Sequence, residues 1–187
     1  MLDNELHLIE NDDLREDIRT ILNELPAYFW QIPASSTQKY HPRYACTEHG
    51  LIKHTKVALK IAEDLLTLNM FDFSEFEKDL VYASLIIHDG LKYGFDYDLN
   101  SYFKHPIYIS EFILELNNNK KLKSDMLVLV RLAHIVSCHM GQWNKNKYTG
   151  EELPIPSDEI DKFVHLCDYL SSRKYLNVEF NENCEIM

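Results

Sequence analysis

The stretch Leu85-Ile86-Ile87-His88-Asp89-Gly90-Leu91-Lys92 sets an imidazole beside a carboxylate where an apolar helical run from about Asp79 breaks at glycine, with Lys92 one turn beyond His88. A neutral imidazole and a carboxylate offer a divalent cation two strong ligands from one rigid point, and the oxygen also suits Mg²⁺ or Mn²⁺. A His-Asp dipeptide alone specifies little. Here His54 lies upstream, His105, His134 and His139 lie downstream, and Asp168 lies further on, each in or at the end of an apolar helical pattern. Helices seldom turn that many imidazoles and a carboxylate toward a core unless they are paired or bound.

Helix geometry sorts these histidines. From Gly50 to about Asn69 the apolar positions repeat with helical period and His54 falls on the apolar side. His49 precedes it by five residues, which at about 100° each leaves the two side chains about 140° apart. His54 is therefore read as a ligand and His49 as a supporting or substrate-facing residue. His134 and His139 repeat the offset; His139, at a helix end before Gly141, is better placed for an open site, with Gln142, Trp143 and Asn144 following as ligand contacts. His105-Pro106 opens another helix, and because histidine is a poor N-cap its ring is expected to point into a cleft. Asp168, among apolar neighbours, wants a cation, either a metal ion or Arg173.

The elements that must hold these residues are helices. Residues 3 to 25 read as one amphipathic helix ending before Pro26. Residues 28 to 44 form an irregular but aromatic loop, in which the hydroxyls of Ser35, Ser36 and Thr37 and the donors Lys39, His41 and Arg43 suit a phosphate or sugar. Ser74 and Glu77 form a capping box for the helix that delivers His88-Asp89. Asn117 to Lys121 is a solvated turn, a helix follows from about Ser124, and Ser157-Asp158-Glu159 caps a last helix carrying Ile160 to Leu176. Strand signals are nearly absent apart from a short extended segment after Asn177, and there is no repeat or glycine-rich phosphate loop. The expected organisation is one all-α domain over 1–187, with a metal-site core at about 49–176 and an N-terminal helix and substrate loop at 1–48.

Composition narrows the partners. The 187 residues are 45% hydrophobic and 12% aromatic, enough for one sizeable core. A formal charge of −11 disfavours long nucleic acid, whose phosphates reward positive surfaces, but allows a small phosphate-bearing substrate in a local basic pocket. The four cysteines lack C-x-x-C spacing, no signal-peptide pattern opens the chain, and no apolar run spans a bilayer, so a reducing, cytoplasmic setting is expected, with no membrane partner. The oligomeric state stays open.

The order His54, then His88-Asp89, then Asp168 resembles the H…HD…D signature of the HD-domain metal-dependent phosphohydrolases over roughly residues 49 to 176. Lys92 stands where that family often has a lysine, His105-Pro106 and His139-Met140-Gly141 are similar to the extra histidines of two-metal members, and Gly50 to Thr55 and Val164 to Leu170 resemble its first and last ligand helices. Gly90 comes one place early, and Met140 stands where two-metal members often have a second histidine. The resemblance implies an all-α HD-domain helical bundle holding one or two divalent ions (Mn, Fe, Mg, Co, Ni or Zn) on His54, His88, Asp89 and Asp168, with His105 and His139 completing a second site. It implies hydrolysis of a phosphate ester of a nucleotide or other small phosphorylated metabolite, with Asp89 and Lys92 catalytic. Lys39, His41, Arg43, His49, Gln142 and Arg173 are the substrate-binding candidates. The alternatives are an HD-fold di-iron oxygenase and a non-catalytic nucleotide-sensing domain.

Overall fold

The computed structural model describes residues 1–35, 39–176 and 178–187; Ser36 and Thr37 of the substrate loop, and Asn177, lie outside them. Among the described residues the regular structure is helical: α1 (Asp3–Leu6), α2 (Asp12–Glu24), α3 (Gly50–Leu66), α4 (Glu75–Ile87), α5 (His105–Asn118), α6 (Met126–Ser137) and α7 (Glu159–Ser171). Four 3-10 turns join them, at Ala27–Trp30, Arg43–Cys46, Leu99–Lys104 and Gly141–Trp143. No strand forms among those residues; two isolated bridges, Lys145 with Glu152 and Phe180 with Ile186, are the only β contacts there. This is the expected all-α bundle, and no helix of it is long and apolar enough to cross a membrane.

The central element is α4, which touches α1, α2, α3, α6 and α7, while α5 pairs with α6 and α3 with α7. Its position follows from its sequence: every residue from Leu80 to Ile87 except Tyr82 is buried, so it has almost no polar face. The capping box at its start is present, Ser74 Oγ accepting from Glu77 N and Glu77 returning to Ser74 N at 2.8 Å. Buried at the core of the bundle, its C-terminal end carries His88 and Asp89 inward.

The N-terminal region differs from the single helix expected. It breaks between Leu6 and Asp12 because Asp79, buried on α4, accepts from Glu10 N at 2.7 Å and Asn11 N at 2.9 Å, and Asn11 then caps α2. Asp17 of α2 acts likewise on the turn before α6, accepting from Lys123 N at 2.6 Å and Ser124 N at 2.9 Å. Lys56, buried on α3, pairs with Glu5 at 2.9 Å and Glu185 at 2.8 Å. The last helix stops at Ser171, so Leu176 lies beyond it.

Candidate metal centre

Four helix ends meet around His88 and Asp89. His54 comes from the first turns of α3, His88 caps the C-terminus of α4, His105 begins α5, and His139 follows α6, while Asp168 lies near the end of α7. The start of α3 is fixed by a close approach: a Cβ at Gly50 would sit 2.4 Å from the Ala45 carbonyl oxygen, so only glycine lets the preceding strap cross there. His49, in a left-handed conformation just before it, turns its Nδ1 to the Trp30 carbonyl at 2.5 Å.

The distances define two groups of ligand atoms. His54 Nε2 lies 3.0 Å from Asp168 Oδ1 and 3.3 Å from His88 Nε2, and His88 Nε2 lies 3.7 Å from Asp168 Oδ1 and 3.9 Å from Asp89 Oδ2. His105 Nε2 lies 2.9 Å from Asp89 Oδ1 and 3.0 Å from His139 Nε2. The sets His54, His88, Asp89 and Asp89, His105, His139 each bring their ligand atoms within 4.8 Å of one another, so Asp89 is common to both. His54, His88, Asp89, His105 and His139 are all buried, whereas the Asp168 side chain is 21% exposed.

The hydrogen bonds behind the rings fix what they present. The Nδ1 atoms of His88, His105 and His139 donate to the carbonyls of Leu85, Tyr102 and Val136 at 2.6 to 2.7 Å. Ser171 Oγ gives its proton to the Asp168 carbonyl at 2.8 Å, so it accepts from His54 Nδ1 at 3.0 Å. With every Nδ1 proton committed, each ring in its metal-binding form turns an Nε2 lone pair to the centre. Lone pairs 3.0 and 3.3 Å apart, beside carboxylate oxygens, repel unless a cation lies among them, and a divalent metal ion fits this donor set.

Electrostatics agree. Burial lowers the pKa of His88 despite Asp89 and Asp168, and lowers that of His139 to about 3 with help from His105 and His88. Burial alone would neutralise Asp89, but Lys92, His88 and His105 hold it well below the usual carboxylate range. Burial likewise opposes the charge of Asp168, but the surrounding histidines, His54 foremost at 3.0 Å from its Oδ1, hold its carboxyl below the usual carboxylate range. Lys92 lies 2.5 Å from Asp89 Oδ2; burial disfavours its charge, yet Asp89 raises its pKa.

The six ligand candidates and Lys92 are thus brought together. Of the substrate candidates, His41 also reaches the centre, its ring 6.0 Å from that of His54, with a buried Nδ1 that has no hydrogen-bond partner; burial pushes its pKa down to about 4. Lys39, Arg43 and Gln142 are exposed. Arg173 does not pair with Asp168 but donates to the Tyr169 carbonyl and to Ser172 Oγ. His134 is turned away from the centre to Asp161, 3.1 Å distant. Although His134, Cys138 and Asp161 also cluster, Asp161 already accepts from Arg131, Ser157 N and Ser157 Oγ, and burial pushes the Cys138 thiol up to about 12; this is an ion-pair network.

Three supporting residues escape a reading of the sequence. Ser171 sets the His54 tautomer, and His165 holds the His139 carbonyl through Nδ1 at 2.7 Å. Tyr28 Oη donates to Gly94 O at 2.6 Å and accepts from Tyr93 N at 3.1 Å, pinning the turn that follows Lys92. For the first two there is a signal, since positions three before and three after Asp168 share its side of α7; for Tyr28 there is none.

A family model described as HD domain matches residues 51–173. The matched span begins with α3 and ends just beyond α7, enclosing all six ligand candidates. Comparison with curated proteins and with solved structures gave no match.

Proposed function

The chain belongs to the HD-domain family, and from that premise we propose that it is a metal-dependent phosphohydrolase that cleaves a phosphate ester of a nucleotide or other small phosphorylated metabolite. The observation that carries the proposal is the convergence of four buried histidines and the carboxylates of Asp89 and Asp168 on two adjoining groups of ligand atoms beside a buried lysine. One divalent ion would be held by His54, His88, Asp89 and Asp168, and a second by Asp89, His105 and His139. Such an ion supplies a nucleophilic water at neutral pH and withdraws charge from the phosphoryl oxygens.

The protein groups do the rest. Asp89, kept ionised by Lys92, orients the attacking water. Lys92 in turn offsets the negative charge that grows on the phosphoryl group, at a site where low dielectric strengthens the attraction. His41, neutral and with an unpartnered nitrogen over the centre, offers a hydrogen bond to a substrate oxygen, and exposed Lys39 and Arg43 on the same strap attract the phosphate. Two three-ligand sets sharing one carboxylate also favour a second reading, oxygen activation by two irons, against which a lysine suited to phosphate stands.

The deciding experiment is elemental analysis of protein purified without a metal-affinity tag, coupled to a phosphate-release screen over nucleotides and sugar phosphates with Mn²⁺, Mg²⁺, Co²⁺ and Fe²⁺. Bound metal with turnover is the expected result. Two irons with oxygen-dependent turnover and no phosphate release would replace the proposal with the second reading, and absence of metal would leave a sensing domain.

A further inference from the structure

Asp168 is the most accessible of the six ligand candidates, its side chain 21% exposed against at most 5% for the others, so the centre comes nearest to solvent on its side of α7. At about 100° per residue, Ser171 lies to one side of Asp168, toward His54, whereas His165 and Tyr169 lie to the other, and Arg173, past the helix end, folds back over Tyr169. On that second side the structure gathers a flat surface that the metal chemistry does not use. Trp143 stacks on Tyr169 with ring centroids 5.4 Å apart and planes 19° from parallel. The Arg173 guanidinium lies 4.0 Å from the Tyr169 centroid and 5.9 Å from that of Trp143. On opposite faces of the phenol ring the indole and guanidinium would be much farther apart, so they share one face and lie side by side.

Both groups are fixed. Arg173 Nε donates to the Tyr169 carbonyl at 3.0 Å and its Nη2 to Ser172 Oγ at 2.7 Å. Trp143 also rests 5.8 Å from the ring of His165, which sits where a Cβ at residue 141 would be, only 2.3 Å away. Gly141, with φ +55°, therefore both makes the turn and admits that ring. Despite this support Trp143 is 45% exposed. A large aromatic ring packed on Tyr169 yet nearly half exposed, beside a guanidinium, offers area for a planar partner.

We propose that Trp143 and Arg173 form a subsite that stacks a planar heteroaromatic ring of the substrate, so that the ester cleaved at the centre is carried by a nucleoside-like alcohol and not by a bare sugar or a lipid. The identity of the ester rests on the phosphohydrolase reading; the stacking does not. Indole and guanidinium both take heteroaromatic rings face to face, and the cation favours rings rich in carbonyl and nitrogen acceptors.

The chain has two tryptophans, so Trp30→Phe leaves Trp143 as the only indole. Its emission is followed during titration with adenosine or guanosine 5′-monophosphate and, as a comparison without a heteroaromatic base, ribose 5-phosphate. Saturable quenching by the nucleotides alone is expected. In the otherwise unaltered chain, Trp143→Ala should weaken nucleotide binding about tenfold and leave ribose 5-phosphate unchanged, with Trp143→Phe restoring most of the loss. Absence of quenching at millimolar nucleotide, or equal nucleotide binding by Trp143→Ala, overturns the subsite. Quenching without phosphate release under any metal sustains the subsite and removes the phosphohydrolase reading. Equal hydrolysis of nucleotide and ribose phosphate without quenching does the reverse.

Discussion

Substituting Ser171→Ala tests whether the back of the centre controls its front. The Ser171 hydroxyl spends its proton on the Asp168 carbonyl and accepts from His54 Nδ1, both at buried positions. Removing it strands a buried N–H, at a cost of about 1–3 kcal/mol. The ring has two responses. If His54 keeps its tautomer, the loss falls on folding and lowers Tm by roughly 2–10 °C for a chain of this size. If the proton moves to Nε2, it finds Asp168 Oδ1 at 3.0 Å, but the lone pair a metal needs is gone. The same energy then appears as a fall of about 5- to 150-fold in metal affinity, overlapping the roughly 10- to 100-fold cost of removing the outer partner of a metal-bound histidine. Competition of Mn²⁺ or Co²⁺ against a fluorescent chelator, with thermal melts on the same preparation, separates the two. A Ser171→Ala protein with wild-type metal affinity and wild-type Tm would refute the reasoning.

Asp89→Ala removes the carboxylate common to both ligand sets, so metal retention and hydrolysis should both vanish, and an active, metal-replete mutant would sink the mechanism. His139→Ala should reduce bound metal from about two ions to about one per chain, read by elemental analysis; unchanged stoichiometry would leave a single site. Asp161, away from the centre, is pushed up by burial but held below the usual carboxylate range by Ser157 and Arg131. A depressed folded pKa stabilises above the unfolded value near pH 4 and loses that stabilisation as pH falls through the folded one, so Tm should drop below about pH 4. Asp161→Asn should cost about 1–3 kcal/mol at pH 7 by breaking the Arg131 and His134 pairings, and calorimetry showing no change would disprove the network's role.

The centre was legible in the chain because its residues stand at helix ends, where local rules are strong. The capping box at Ser74, the proline after His105 and the apolar run of α4 each fix an element locally; the five-residue offsets separate His49 from His54 and His134 from His139, and the apolar side and the helix end single out His54 and His139, whose rings approach His88 and His105. What was not legible depends on contacts distant in sequence. Asp79 breaks the N-terminal helix by binding Glu10 and Asn11, about seventy positions away, and no pattern within residues 3 to 25 announces it. Arg173, by contrast, lies near Asp168 in sequence yet turns to Tyr169 and Ser172, because it follows the end of α7 and hydrogen-bonds the Tyr169 carbonyl.

Lys56 ties two stretches far apart in the sequence to a single buried ammonium on α3, with Glu5 and Glu185 each within 3 Å of it. The segment leading into α2 and the segment after α7 are thus fastened to the first ligand helix by one side chain, so that neutralising Lys56 would loosen both together while leaving two buried or half-buried carboxylates without a counter-charge.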